Sequence, residues 1–432
     1  MLVLRSRVGR PPHATGFDTV FPLIRSLSGL LLGITILLVV MDLLSSLLGV
    51  RATLAHYPGW QLGLVMSAYF FGYVLGSFVC PLLIQRVGSI RAFATFAAIV
   101  ASVTLAHALS INPWWWLVLR LIAGVAMVGI YMVTESWLNA SLPRAYRVSV
   151  SGFYITLTLV AMAAGQLLLM AAPVTGSTLF LIAGMLVVLG LVPVTATRLA
   201  QPTLGSAPQL SPWRLMQYAP FALTATFLSG LATGAFWGLG AAFASRIGLS
   251  PTGDGAFVAS VIAGGVLAQW PLGRLSDRVG RRPVLIGAAT SGVVFALLLA
   301  AATQSPPWLL PFAFGLGATT LSLYAPAVAH TNDLLQPHEV LAATKALLLS
   351  VGLGSAFGPL IGGLMFDSFG ARGLPYYLAA VLSVLALLGI LRSFQRVAPA
   401  LAEQGDFIPM VHTSQVGLEM AVASSQDEMP PQ

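Results

Sequence analysis

Long apolar stretches recur along this chain, and they restrict its fold more than any other feature. Twelve can be counted, at approximately 23–50, 60–84, 89–109, 114–140, 147–171, 177–197, 217–245, 255–275, 283–303, 307–331, 340–366 and 374–395. Each runs about 20 to 30 residues, the length a tilted helix needs to cross a hydrocarbon core of roughly 30 Å. Only 8% of the 432 residues are charged against 57% apolar, a balance that no soluble fold of this length tolerates. Backbone N–H and C=O groups in lipid must be paired within the protein, and strand-like alternation is absent. The spans therefore read as helices, and the chain as an all-α polytopic membrane protein.

The segments between the spans predict domain organisation and orientation. Residues 1–22, with Arg5, Arg7, Arg10 and the Pro11-Pro12 pair, read as a disordered cytoplasmic tail. The apolar run starting near Leu27 is too long for the core of a cleavable leader, so the first span is expected to be an uncleaved anchor. Six spans fill 23–197 and six more fill 217–397, joined by a Pro/Ser-rich cytoplasmic linker at 198–216. Residues 398–432 are polar and expected to be a disordered cytoplasmic tail. With the N-terminus inside, only Arg51, Arg246 and Arg372 of the 21 basic residues fall outside, and Arg120 lies within a span. The opposite orientation would invert that bias, so both termini are placed in the cytoplasm.

Several function classes are excluded at this level. The net charge of +8 is spread over separate short loops, never along one stripe, which argues against nucleic acid as a partner. The single cysteine, Cys80, permits no internal disulfide. His13, His56, His107, His330, His338 and His412 are scattered without metal-ligand spacing, and no metal or cofactor is expected. Lys345 is the only lysine and lies in no P-loop, so ATP-driven work by this chain alone is not expected.

Residues 273–285, GRLSDRVGRRPVL, read as a very short loop between two spans. Arg274, Arg278, Arg281 and Arg282 surround one acid, Asp277, with glycines at 273 and 280. A plain positive-inside loop would explain the arginines but not Asp277 or the glycine spacing. The stretch resembles the signature G-x-L-a-D-r-x-G-r-[RK]-x-x-L of the major facilitator superfamily, which joins the second and third helices of each six-helix half. Arg120-Leu-Ile-Ala-Gly124 in span four resembles that family's R-x-x-x-G element, and Gly354-Ser-Ala-Phe-Gly-Pro-Leu-Ile-Gly-Gly363 in span eleven its G-x-x-x-G-P-x-x-G-G element. In antiporters the latter sits in span five, where this chain has only Gly165-Gln166, so it does not mark an antiporter here. AQWPLGRLSD at 268–277, VTESWLN at 133–139 and KALLLSVGLGSAFGP at 345–359 are similar to a bacterial branch of this family whose substrate is unassigned.

Shifting the sequence by 192 residues lays Arg86-Val-Gly88 over Arg278-Val-Gly280, which supports two repeated halves. The resemblance implies that these face each other across a central cavity, as parallel repeats in two pseudo-symmetric six-helix halves. The repeat is imperfect: Pro81 stands opposite Gly273 and Gln85 opposite Asp277, so a gate built on that acid is present once. By the same resemblance, Asp277 would accept from the first N–H groups of span five, at Arg147–Gly152, when the cytoplasmic side is closed. Arg281 or Arg278 would pair with Asp333, and Gly273, Gly280 and Arg282 complete the gate.

Ionisable residues inside spans are costly and point to function. Asp42, Arg120 and Glu135 are the candidates. Asp42 and Arg120 fall at matched depth, roughly 10 Å below the outer surface, so Asp42 is a candidate proton carrier with Arg120 as its switch. Structural readings stand beside these: a bond from Arg120 to backbone carbonyls, a wet cavity mouth for Asp42, and snorkelling of Glu135 or its pairing with Arg86 or Arg91. Candidate solute contacts are Tyr69, Tyr73, Tyr154, Gln166, Trp237, Gln269, Trp270 and Tyr324. Thr224, Thr226, Ser229, Thr233, Thr319, Thr320 and Ser322 could line a cavity or could simply let helices approach closely. Trp114-Trp115-Trp116 reads as an interfacial belt.

These readings lead to a secondary active transporter of a small organic solute in a bacterial inner membrane, proton-coupled and expected to be a monomer. Uptake and efflux both remain open. The alternative is a transporter-like sensor or scaffold that binds solute without turnover.

Overall fold

The computed structural model describes residues 16–141, 147–196, 220–304, 306–333 and 337–395. The linker and the C-terminal tail lie outside those residues. Among the described residues thirteen α-helices follow in order: α1 Gly16–Leu54, α2 Gly59–Val87, α3 Ser89–Ala106, α4 Pro113–Ser141, α5 Arg147–Leu168, α6 Thr178–Thr195 and α7 Pro220–Arg246. Then come α8 Pro251–Val279, α9 Arg281–Ala301, α10 Pro306–Thr320, α11 Tyr324–Asn332, α12 Pro337–Phe369 and α13 Gly373–Gln395. No strand occurs among the described residues.

The twelve spans are all present, with α10 and α11 sharing the tenth. Pro326 explains that interruption. It has no N–H to donate to the carbonyl four residues back, at Ser322, and its ring crowds that carbonyl, so the helix unwinds over 321–323. The loosened Ser322 hydroxyl donates to the Gly265 carbonyl of α8 at 3.3 Å. Two expectations are corrected. Helix α1 begins at Gly16, inside the stretch read as a disordered tail. Residues 273–279 are the last turns of α8 rather than a loop; the whole connection to α9 is Gly280, at φ 101°. A residue with a Cβ is strained at that φ, which accounts for the glycine.

The repeat reappears as geometry. Helices α2 and α8 are each 29 residues long, and both their ends are offset by the same 192 residues. Gly88, at φ 84°, turns α2 into α3 as Gly280 turns α8 into α9. Close packing is repeated as well. A Cβ on Gly72 would meet the Leu121 carbonyl oxygen of α4 at 2.0 Å, and one on Gly264 the Phe314 oxygen of α10 at the same distance. Glycines thus bring α2 onto α4 in one half and α8 onto α10 in the other. In lipid, helices associate through such backbone proximity, because apolar side chains gain little by leaving hydrocarbon.

The two halves meet along α2 with α12, α1 with α7 and α5 with α8. Their tightest contacts gather at the end of the bundle that carries the α1–α2 and α7–α8 connections. There a Cβ on Gly363 would meet the Gly59 oxygen at 2.2 Å, and one on Gly63 the Pro359 oxygen at 2.3 Å. Asp367, at the end of α12, accepts from the backbone N–H groups of Gly59 at 2.6 Å and Trp60 at 2.8 Å. Helix α2 has no side-chain cap of its own, so the opposite half supplies it. Arg246 of α7 donates to the Tyr57 carbonyl at 3.1 Å and stacks on Phe366 of α12 at 4.5 Å.

Candidate functional site: a central cavity between the halves

A cavity of about 240 Å³ lies on the seam, walled by α1, α2, α4 and α5 of the first half and α7, α8 and α12 of the second. Its wall is mostly apolar and aromatic. Tyr69, Phe70 and Tyr73 come from α2, Tyr131 from α4, and Trp237 from α7. Met41 and Met162 add flexible, polarizable surface. The charged groups in the wall are Asp42 and Arg120, with Ser45, Thr158, Gln269 and Ser355 as further polar groups.

Asp42 is nearly buried, and its carboxylate Oδ2 accepts from Gln166 Nε2 of α5. Gln166 in turn is anchored by Ser46, one residue turn along from Asp42, at 2.9 Å from Nε2 and 3.1 Å from Oε1. The α1–α5 approach that permits this rests on Gly165, where a Cβ would sit 2.7 Å from the Val39 oxygen and 2.9 Å from the Asp42 Cβ. Gln166 therefore orients the carboxylate from behind the wall.

Arg120 is 2% exposed, and its guanidinium lies 4.5 Å from the centre of the Tyr69 ring. Gly124 seats it there: a Cβ at 124 would meet the Tyr69 carbonyl oxygen at 1.9 Å, so only glycine lets α4 lie this close to α2. Among the described residues Arg120 forms no ion pair, and its Nε has no hydrogen-bond partner. The ring contributes about 2 kcal/mol when desolvated, less than the several kcal/mol that burying an ion costs. Among the described residues the alternative bond from Arg120 to backbone carbonyls is not formed, and neither is an ion pair with Asp42. Both residues do reach the same cavity.

Glu135 is fully buried in α4, which does not fit snorkelling to water. It lies close enough to Tyr73, Tyr131 and Tyr154 to act on all three electrostatically. The hydroxyls of Tyr73 and Tyr154 have no hydrogen-bond partner among the described residues.

Of the residues singled out as solute contacts, Tyr69, Tyr73, Trp237 and Gln269 line the cavity. Gln166 stands behind Asp42, and Tyr154 is buried towards Glu135. Tyr324 is buried in a separate apolar cluster with Leu223 and Val351. Trp270 is 58% exposed and carries Arg274 stacked on its ring at 3.5 Å. It points away because α8 turns its other face, with Val266 and Gln269, to the cavity. Most of the hydroxyls on spans seven and ten bond back to their own helices: Thr224 to Pro220, Thr226 to Leu223, Thr233 to Ser229, and Thr319 to Gly315. Of the Trp114–Trp116 run, Trp114 and Trp115 are exposed, whereas Trp116 is fully buried and donates to the Ser110 carbonyl at 2.8 Å.

Comparison with known proteins settles the family. The family description "Major Facilitator Superfamily" matches residues 222–409. An "Uncharacterized MFS-type transporter" of Enterobacter sp. (strain 638) is 30% identical over 369 residues, covering 84% of this chain and 94% of that protein. The chain belongs to the Major Facilitator Superfamily. A second relative, the MFS-type transporter YcaD of Salmonella newport (strain SL254), is 29% identical over 375 residues, with the same coverage of both chains. Among solved structures, the nucleoside transporter NupG superposes with a TM-score of 0.71 at 12% identity, over 85% of this chain and 99% of its own. A bacterial homologue of the human lysosomal transporter Spinster superposes with a TM-score of 0.71 at 15% identity, over 92% and 99%. The fold is the major facilitator fold, and the chain is a membrane transporter, not an enzyme.

In this superfamily member the signature residues at the α8–α9 turn form a compact cluster. Arg281 is buried and pairs with Asp277 one turn before it. Its Nε also lies 3.4 Å from Asp333 at the end of α11, and its Nη1 3.2 Å from Ser276. Arg281, rather than Arg278, is thus the partner of Asp333. Arg282 is buried against Phe221 and donates to the Arg392 carbonyl at 3.3 Å, while Arg278 is exposed. The expected acceptance by Asp277 of the first backbone N–H groups of α5 concerns residues 147–152, whose contacts lie outside the described set.

The sequence reading missed Met41, Ser45, Phe70, Tyr131, Thr158 and Met162 of the wall, and it missed Asp367. Asp367 carried a readable signal: it is an acid following the Gly354–Gly363 element, at the end of a helix. The wall residues carried none.

Proposed function

We propose that this transporter couples solute movement to protons, with Asp42 carrying the proton and Arg120 governing its release. The observation that carries this reading is the setting of Asp42: a carboxylate in the wall of the central cavity, held by neutral Gln166, with Arg120 in the same wall. A carboxylate among neutral partners can hold a proton. Arg120 swinging from Tyr69 towards Asp42 would stabilise the ion and expel it. The second half offers no such pair, since the positions 192 residues on from Asp42 and Arg120 are Gly234 and Phe312.

The bias of basic residues places the α8–α9 turn, both termini and the linker in the cytoplasm. The end closed by Asp367 then faces outwards, and the α8–α9 cluster belongs to an inner gate. The halves would rock about the cavity in alternating access. Bacterial relatives point to the inner membrane as the site of action.

The test is proton release on solute binding to detergent-solubilised protein, with transport in vesicles under an imposed pH gradient. Asp42→Asn is expected to stop pH-driven accumulation and abolish proton release while solute still binds. Equal release from wild type and variant would remove Asp42 from the mechanism.

A further inference from the structure

Two charged residues face the central cavity, but their needs differ. Asp42 has its hydrogen-bond donor in Gln166, which Ser46 locks in place. Among the described residues Arg120 has neither an anion nor a hydrogen-bond acceptor, although it is 2% exposed and sits in the cavity wall. One face of its guanidinium is taken by Tyr69. Stacking leaves the edge, where N–H donors are arranged as a fork that matches a carboxylate. The unmet requirement in this cavity is therefore a negative charge with two oxygens in a plane.

The rest of the wall defines the body attached to that charge. Phe70, Tyr73, Tyr131 and Trp237 offer aromatic faces and edges, and Met41 and Met162 fill gaps without fixed shape. The volume of about 240 Å³ lies below the roughly 300–1,000 Å³ of pockets that take drug-sized ligands. A metabolite-sized molecule fits this space, and a large lipophilic drug does not. A cationic solute would face Arg120 unpaired across a low-dielectric space, which disfavours it.

We infer that the solute is a small organic monoanion with a carboxylate that docks on the Arg120 fork and an aromatic or branched apolar body that packs between the two halves. This rests on the transport reading above for its site but not for its charge. It gives Arg120 a second task, because an anion seated on it keeps the guanidinium from Asp42.

The test uses the full chain in detergent, with three probe acids: benzoate, phenylacetate and indole-3-acetate. Each is paired with its neutral carboxamide, with phenethylamine as the cation and acetate as the bare anion. Binding is read by calorimetry and by the shift in melting temperature. At least one aromatic acid is expected to bind, with its carboxamide and acetate each at least about tenfold weaker and the amine absent. Arg120→Gln should lose about ten- to a hundredfold in affinity for that acid, and Arg120→Lys less. Size-exclusion profiles and melting without ligand separate lost binding from lost folding. Equal binding of acid and carboxamide, preference for the amine, binding of none of the acids, or unchanged affinity in a folded Arg120→Gln protein would each overturn the inference. Arg120-dependent binding without any transport under a pH gradient would leave the anion site standing and sink proton coupling instead.

Discussion

At the scale of single residues, the first half carries the charges that reach the cavity or lie buried beside it, and their neighbours assign them different work. Asp42 is held by an amide that can follow either protonation state. Glu135 is sealed among tyrosines and does not line the cavity. Glu135→Gln is expected to lower stability and to reduce pH-driven accumulation and equal-pH exchange together. Selective loss of accumulation, measured in the same vesicles, would instead make Glu135 the proton carrier. Gln166→Ala should disorder the Asp42 carboxylate without removing it. We expect it to slow pH-driven transport by about tenfold, through loss of one hydrogen bond to a charged group of roughly 1.5–3 kcal/mol, and to leave folding intact.

At the scale of helices, glycine decides which elements touch. A Cβ on Gly124 would lie 1.9 to 2.9 Å from backbone atoms of Tyr69 and Tyr73, so even one methyl group forces α4 away from α2. Gly124→Ala should destabilise by about 1–3 kcal/mol and displace Arg120 from Tyr69. Gly287 has open space around its Cβ position, and Gly287→Ala should be nearly neutral. Melting of the two variants in detergent checks the contrast. Asp367 shows the other way of joining helices, in which one half caps a helix of the other. Asp367→Ala removes a cap worth about 0.5–2 kcal/mol, enough to shift the balance of open and closed states by several-fold. Labelling of a cysteine placed at Trp237 should rise from the outer side. Cys80, the only native thiol, is buried and gives little background. Unchanged labelling would show that the Gly59–Gly363 contact closes that end by itself.

For the whole molecule, the two ends carry different devices on one repeated frame. At one end Asp367 takes helix N–H groups directly, while at the other Asp277 is engaged with Arg281, which also holds Asp333. If each acid closes its own end, their variants act in opposite directions. Asp277→Asn should raise labelling of the cavity from the inner side, and Asp367→Ala from the outer side. Unchanged labelling together with normal transport in Asp277→Asn would sink the inner clamp. Only an alternating-access molecule couples the two ends so that opening one closes the other.

The twelve spans and their repeat were legible in the sequence because bilayer thickness and backbone pairing each leave a local trace. A run of about 20 apolar residues can mean little else than a helix across a membrane. The break at Pro326 is not part of that reading, in which 307–331 is one unbroken span. The direction in which each helix faces left no such trace. Lipid and protein interior are equally apolar, so a span has no polar side to mark its exposed face, and Trp270 and Gln269 could not be told apart. Which polar residues meet was also hidden: Asp42 finds Gln166 from 124 positions away, and Asp367 reaches Gly59 from 308. The sequence determined what must lie in the membrane. Only the tertiary packing decided which charges share a cavity, because that depends on helix rotation, which a uniformly apolar pattern does not encode.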